Sequence, residues 1–473
     1  MKAEDIRPSH LNPYDPQYDP LVARNPGHGA GYAPTYWVGT AGRPPDDDGP
    51  VCGDMEADVV IVGSGFTGLS TALFLAREHG IRAVVLEANQ SAWGCTSRNG
   101  GQGQNASGRL YRSQWIERWG KDVALKLDAE IREGFDTFKN LVAEFPECEP
   151  QPGGHLYIAH RDRKMDFLRN ETRVMREVFG YDARILSIDA VRRDYVDDAD
   201  CRGAMHEPDG IGVHPLKLAF GYLRKARELG VKVHPASPVL GMETRNGVHY
   251  LRTPGGTVKA RAVGFATGGY TSNGLHPSLR SKIMPILSNS LVTRPLTEEE
   301  LAATNFKTTQ VITDTRTLRF YYRKLPDNRV QIGSRSAITG ADAPNPVHMA
   351  KLVEGLHHKF PALRGIQVDY SWWGWVDVSH DMMPRITQPD PAENVFYAVG
   401  YGGNGVSFSA HAGRRMAQRI AGQKNKAFEL PIYNSSLEYP NVFNMVRSEA
   451  FAPFRRMGQR FLYHWYHMND EKN

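Results

Sequence analysis

Short apolar runs alternate with stretches of helical periodicity along most of this chain, and their order carries the fold. Residues 58–62 form a β-branched run of strand character, and residues 69–79 follow with apolar positions at helical spacing. The run 84–86 closes a second strand. Helical patterns recur near 120–144 and 163–179, with a strand at 153–158 between them. Pro215 suits the first turn of a helix reaching 229, ahead of a strand at 231–235. Alternating strands then lead to 262–269. A β-rich middle spans 284–295, 308–313, 317–324 and 329–335, followed by a helix near 346–359 and an aromatic strand at 370–375. Glycine-rich α/β character returns at 394–406, before a helix at 407–421.

The turn after the first strand is Gly63-Ser64-Gly65-Phe66-Thr67-Gly68. Gly63 permits a tight turn, Gly65 lets backbone approach a pyrophosphate, and Gly68 lets helix and strand pack closely. Amides at the helix N-terminus then face two negative charges. Glu87, followed by Ala88, ends the second strand about twenty residues on, where an acid accepts ribose hydroxyls. Within strand, turn, helix and strand, this spacing predicts a dinucleotide site rather than a bare glycine-rich turn.

The alternation implies a discontinuous nucleotide domain (58–108, 205–272 and 376–423) with a mixed substrate domain inserted (109–204 and 273–375). A helical segment, 424–473, ends the chain. Residues 1–57 are set apart by Pro8, Pro13, Pro16, Pro20, Pro26, Pro34, Pro44 and Pro45, which disfavour regular interiors. They are expected to form an extended arm that lies over the body or reaches a neighbouring subunit in a homo-oligomer. Tyr14, Tyr18, Tyr32, Tyr36 and Trp37 favour docking over free disorder.

Composition narrows the function classes. Of 473 residues, 41% are apolar and 23% charged, as in soluble globular proteins. A net charge of +5 with no basic run argues against nucleic acid. Cys52, Cys95, Cys148 and Cys201 form no CxxC pair, so no metal site is expected and a reducing compartment fits. The first residues lack a signal-peptide core, and no apolar run reaches membrane-spanning length. A cytoplasmic location is the expectation.

NAD and FAD share the opening fingerprint, and two later elements favour FAD. Ala266-Thr267-Gly268 ends a strand where the chain can meet the cofactor. Gly402-Gly403-Asn404-Gly405-Val406-Ser407 leads into a helix whose N-terminus would stabilise the negative charge of a reduced flavin.

Together these residues resemble the D-amino-acid-oxidase-like flavoenzymes, which include sarcosine and glycine oxidases, and within them γ-glutamylputrescine oxidase and related bacterial amine oxidases. The similarity lies in "VVIVGSGFTGLSTAL", "VVLEA", "SRNGGQ", "PGG", "HPLKLA", "YYRKLPDNR", "MPRI", "GYGGNGVSFSAHAGR" and "APFRRMGQRF". The arm is longer than that family implies. The resemblance implies an α/β plus α+β fold of the glutathione-reductase/D-amino-acid-oxidase-like kind: a Rossmann-type FAD-binding domain with an inserted mixed β-sheet domain. It implies oxidation of an amine C–N bond by hydride transfer to flavin N5, giving an imine that hydrolyses to an aldehyde or keto acid. The substrate would be a primary or secondary amine such as a γ-glutamyl-amine or N-substituted amino acid, with oxygen or another carrier accepting electrons. Thr96, Ser97, Arg98, Asn99, Gly100 and Gly101 match the loop that passes flavin and pyrophosphate in that family. Val239 either meets the adenine or belongs to a core strand.

Substrate-side candidates rest on strand alternation. Tyr321 and Tyr322 lie on a strand expected beside the flavin, where only one can face it; Tyr322 is taken as the catalytic candidate. Arg323 is read as a strand-end surface charge, with Arg316, Arg319 and Arg335 open as carboxylate ligands. Trp372, Trp373 and Trp375 either wall an amine pocket, with Trp373 and Trp375 as candidates, or fill core. His155, His380 and Asp381 are possible polar groups of the pocket, and His380 joins the catalytic set.

Three departures from the family matter. "WVDVSHDMMP" lacks a flavin-linking cysteine and "GCTSRNGG" lacks a histidine, so non-covalent FAD is expected. Gln331 stands where sarcosine-oxidase-like relatives carry an oxygen-activating lysine. Asn404 replaces a frequent histidine but still donates a hydrogen bond. Three other functions stay open: an amino-acid dehydrogenase using a quinone or electron-transfer acceptor, for which 451–467 is a weak membrane-docking helix; a flavin monooxygenase, disfavoured for want of a second GxGxxG; and a non-catalytic flavin-binding protein.

Overall fold

A computed structural model describes residues 19–21, 27–272, 274–280, 282–434 and 452–471. Its first sheet has a parallel centre of five strands, in the order Lys232–His234, Val84–Leu86, Met55–Val62, Gly256–Phe265 and Val395–Val399. Register is continuous across the centre: Val60 pairs with both Val84 and Val263, and Val263 with Val395. Antiparallel strands complete the sheet, Arg385–Thr387 beside the last of these and the hairpin Gly241–Arg245/Val248–Thr253 along the first half of Gly256–Phe265.

Alternation along Met55–Val62 explains the two cores. Val59 and Ile61 point into a cluster shared with helices Phe66–His79, Pro215–Glu228 and Gly405–Ile420, whereas Val60 and Val62 fill a separate cluster on the opposite face. Helix Phe66–His79 ends at Gly80 in the left-handed region. Pro215 opens its helix as expected, with His214 Nδ1 accepting from Lys217 N at 3.2 Å.

The second sheet has eight strands, in the order Val368–Val378, Met284–Thr293, Val330–Ser334, Tyr321–Lys324, Val311–Asp314, His155–Ile158, Ala204–Glu207 and Arg184–Leu186. Only the pairing of Val311–Asp314 with His155–Ile158 is parallel. Helix Pro346–Lys359 buries Met349, Leu352, Val353 and Leu356 beneath it. The strand expected at 317–324 begins only at Tyr321. Asp314 accepts from the amides of Arg316 and Phe320 and holds 314–320 as a tight turn. Likewise the pattern 120–144 is preceded by a separate helix, Arg112–Trp119, broken off by Gly120 at φ 80°.

The described part of the arm, from residue 27, docks on its own chain. Tyr36–Thr40 is one helical turn capped by Thr35. Trp37 Nε1 donates to Asn99 O at 2.7 Å, Thr35 Oγ1 to Ser97 O at 3.0 Å and Tyr32 Oη to Ser91 O at 2.6 Å, while Trp93 Nε1 donates back to Gly31 O at 2.7 Å. The arm therefore straps down the loop 89–101. Pro8, Pro13, Pro16, Pro26, Tyr14, Tyr18 and the first residue of 451–467 lie outside the described residues. Ala452–Asp470 is a helix, and among the described residues no helix is long and apolar enough to cross a membrane.

Candidate active site

Both sheets contribute to one cavity. On the first-sheet side, the turn after Met55–Val62 carries Gly63 at φ 100°, and a Cβ there would lie 2.7 Å from Ala266 O. Two glycine-dependent segments thus meet at the cavity floor. Gly68 lies behind this turn rather than on the wall; a Cβ there would fall 1.8 Å from Gly63 O, so its role is packing. Gly63, Gly65, Phe66 and Thr67 line the cavity, as do Ala266, Thr267 and Gly268. Glu87 and Ala88 join them, and so does Val239, which also belongs to a core cluster. Burial pushes the Glu87 carboxyl up, opposed by hydrogen bonds from the Ser64 and Asn89 amides and the Ser64 hydroxyl.

Two long helices open on this cavity without a side-chain cap: Phe66–His79 after Gly65, and Gly405–Ile420 after Asn404. The Asn404 side chain donates to Gly108 O instead, and Gly403, Asn404, Gly405 and Val406 line the wall. Gly402 and Ser407 do not. Gly402 turns the chain at φ 65° beside Arg109, and Ser407 Oγ donates to Gln104 O. Thr67 and Tyr401 hydroxyls, 2.8 Å apart, tie the two helix starts together.

The loop at 95–101 forms the lid of the same space. Thr96, Arg98, Asn99 and Gly100 line it. Ser97 and Gly101 do not: Ser97 Oγ donates to Trp93 O, and a Cβ on Gly101 would lie 2.1 Å from Val213 O. Asn99 shapes the loop, donating to Cys95 O and Thr96 O and accepting from Gly101 N at 2.7 Å. Thr96 Oγ1 accepts from Phe66 N at 3.0 Å. The Arg98 guanidinium stacks 4.5 Å from the Trp93 ring. Cys95 also faces the cavity, its thiol pushed up to about 12 by burial and the nearby Asp377. All four cysteines are free.

On the second sheet the expected catalytic set needs correction. Tyr321 lines the cavity, packed where Gly100 lacks a Cβ, with its hydroxyl 2.9 Å from both Ser288 and Ser290 hydroxyls. Tyr322 points to the opposite face and donates to Asp198, inside a buried network with Lys359. Parity along Val368–Val378 likewise puts Gly374 and Val376 on the wall and sends Trp373 and Trp375 into the core. Trp372 donates from Nε1 to Arg98 O at 2.7 Å. Gly374 is needed there, because a Cβ would meet Arg98 Cβ at 3.0 Å. His380 sits outside the cavity wall, in the turn before Arg385, next to the Asp381–Arg385 pair. His155 is held between Glu207 (2.8 Å) and Thr313 Oγ1 (2.7 Å) as a structural group.

Arg323, expected at the surface, is 1% exposed; it donates to the carbonyls of Gly100 and Val213 and to Gln151. Arg316 is committed to Asp314 and Asp200. Arg319 and Arg335 do line the cavity, together with Arg109, Tyr270, Asp377 and Tyr401, which the sequence reading did not single out. Asp377 is buried, its carboxyl raised by that burial, and it accepts from Gly400 N. Gln331 is buried behind Tyr321, with Nε2 3.4 Å from Ser290 Oγ. Glu130, Glu133 and His411 stand close enough to ligate a metal, but Arg415 pairs with both glutamates and none of the three lines the cavity.

Two uncapped helix N-termini, glycines that admit close backbone approach and a buried acid after the second strand form a donor set that fits a flavin dinucleotide. A model of the FAD dependent oxidoreductase family matches residues 58–419, and the chain belongs to that family. It is 32% identical over 374 residues to gamma-glutamylputrescine oxidoreductase of Escherichia coli (strain K12), covering 79% of this chain and 85% of that protein. It is 28% identical to sarcosine oxidase subunit beta of Arthrobacter sp, covering 84% of this chain and 94% of that one. Glycine oxidase from Geobacillus kaustophilus shares the fold, with a TM-score of 0.67 at 19% identity over 82% of this chain and 99% of that chain.

Proposed function

We propose that this protein oxidises the C–N bond of a primary or secondary amine, using FAD held without a covalent link. The observation that carries the reading is the union of a nucleotide cradle and a second-sheet wall in one cavity, with neither lysine nor histidine on the wall among the described residues. Hydride loss from a neutral amine needs no strong protein base, so such a wall suits that chemistry better than proton abstraction. The relatives named for gamma-glutamylputrescine and sarcosine support an amine substrate.

In this reading, Gly63, Gly65, Phe66 and Thr67 hold the pyrophosphate, Glu87 and Ala88 the ribose, and Val239 the adenine. Thr96, Arg98, Asn99 and Gly100, with Ala266, Thr267 and Gly268, border the ring system. Gly403 to Val406 aim a helix N-terminus at it, which favours negative charge there. Bound FAD supplies the hydride acceptor. Tyr321, kept neutral because burial raises its phenol, donates from its serine-held hydroxyl to orient the substrate. Burial, and then the nearby Asp377, push the Cys95 thiol up, which disfavours the thiolate a covalent link would need. Hydride loss from the neutral amine would leave an iminium cation whose N–H proton passes to solvent, and water adding to the C=N carbon would then release a carbonyl compound and an amine or ammonia.

Anaerobic mixing with polyamines, γ-glutamylated amines, N-methyl amino acids and D- and L-amino acids tests this. Bleaching of flavin absorbance near about 450 nm by one class supports it, and admitting air then separates oxidase from dehydrogenase. A protein that never takes up FAD, or a yellow one that no amine bleaches, overturns it.

A further inference from the structure

Three guanidinium groups converge on the cavity beside the Gly402 turn. Arg109 Nη1 and Arg335 Nη2 donate to the same carbonyl, Gly402 O, at 3.4 and 3.2 Å. Arg319 reaches Tyr111 Oη at 3.5 Å, lies 5.5 Å from the Tyr157 ring and leaves a buried Nε without a partner. Among the described residues none of the three ion-pairs with a carboxylate. Five buried arginines elsewhere in the fold do pair with a carboxylate: Arg112 with Asp128, Arg316 with Asp314, Arg385 with Asp381, Arg415 with Glu130, Arg456 with Asp19; buried Arg323 is instead satisfied by two carbonyls and Gln151. Burial, and then the charges of Arg335 and Arg319, hold Arg109 below the usual guanidinium range; burial chiefly, with a smaller push from Arg319 against the opposing Tyr463, lowers Arg335. Like charges gathered in a partly desolvated wall repel one another, and an anion seated among them would relieve that repulsion.

The three arginines come from segments other than the glycine turn and Glu87. Arg319 and Arg335 flank strands Tyr321–Lys324 and Val330–Ser334 of the second sheet, and Arg109 follows the short strand Gln102–Gln104. The glycine turn and Glu87 belong to the first sheet. Guanidinium forks match planar oxyanions two bonds at a time. We infer that the amine substrate carries at least two negatively charged oxyacid groups, two carboxylates or a carboxylate and a phosphonate, seated by Arg109, Arg319 and Arg335. This deepens the amine-oxidation reading and rests on it. A diamine would bring its second positive charge among three guanidiniums.

The test is calorimetric titration of the FAD-loaded protein at constant ionic strength with acetate, malonate, phosphonoacetate and 1,4-diaminobutane. Malonate or phosphonoacetate should bind about tenfold or more tighter than acetate, and the diamine should give no binding. Which dianion wins separates the two oxyacid types. Arg319→Met and Arg335→Met should each weaken the dianion by about tenfold with flavin content and circular dichroism unchanged, and Arg335→Lys by less, since it keeps charge but loses the fork. Equal affinity for acetate and malonate, tightest binding of the diamine, or loss of flavin from both methionine variants would overturn the inference. Amine-driven bleaching without any dianion preference would overturn it while leaving amine oxidation intact. Dianion binding with no bleaching by any amine would instead remove the amine-oxidation reading.

Discussion

Thr67 and Tyr401 stand 334 positions apart in sequence, and their hydroxyls lie 2.8 Å apart across the floor of the cavity. The bond joins the first helix turn to the last glycine segment, two cavity-lining stretches far apart in sequence. Burial raises the Tyr401 phenol well above its ordinary value, which keeps it protonated and able to donate. Tyr401→Phe should lower the unfolding free energy by about 1 kcal/mol and weaken FAD retention several-fold. Denaturant unfolding and flavin titration of the apoprotein check both; unchanged values would show that the hydroxyl pair is idle.

Gly65 offers a test of space alone, because its φ of −74° suits any residue. A Cβ would already touch Thr96 Oγ1 at 3.0 Å, and valine methyls would enter the place assigned to the pyrophosphate. Gly65→Val should fold yet purify with less than about a tenth of the parental flavin. Full flavin content by absorbance ratio would sink the assignment.

Adjacent tyrosines should separate cleanly. Tyr321→Phe removes a hydroxyl on the cavity wall and should lower kcat about tenfold, equivalent to ~1.4 kcal/mol, with stability kept. Tyr322→Phe removes a donor to Asp198 inside the buried network and should cost ~1–3 kcal/mol of stability with kinetics kept. Paired melting curves and steady-state rates decide it, and the reverse pattern would contradict the side-chain directions described here.

How much of this was legible in the residues depended on locality. That Gly63, Gly65 and Glu87 come together on one cavity was readable because they lie within one strand–turn–helix–strand unit whose spacing is fixed by geometry. The second-sheet wall of the cavity was not. Whether Tyr321 or Tyr322 faces inward depends on where the strand starts, and the Asp314 turn shifts that start to Tyr321. Gly374, flanked by Trp373 and Trp375, was the clue that the aromatic strand shows its small residue to the cavity, where Arg98 needs room. Arg109 and Arg335 meet only through Gly402, across three loops far apart in sequence, so no local pattern marks them. Arg323 reads as a strand-end charge, yet carbonyls of two folded loops enclose it.

Acid should loosen the buried network around Asp200. Burial alone would raise the Asp200 carboxyl, but Lys359, Arg316 and His358 outweigh it and lower it from 3.8 to about 2. A folded-state value below the unfolded one stabilises above the unfolded value and is lost as pH falls through the folded one. Between about pH 4 and pH 2 the protein should lose ~2 kcal/mol through this group. Unfolding free energies across that window should fall less steeply for Asp200→Asn than for the parent; parallel curves would refute the assignment.

Amine oxidation through bound flavin is tested most directly by stopped-flow reduction in the absence of air. The amine that bleaches the flavin would be supplied with hydrogen or deuterium on the carbon beside nitrogen. Bleaching should be complete, first-order at saturation and slowed several-fold by deuterium, because that C–H bond breaks as the ring is reduced. Failure of every amine class to bleach the bound flavin would contradict the account.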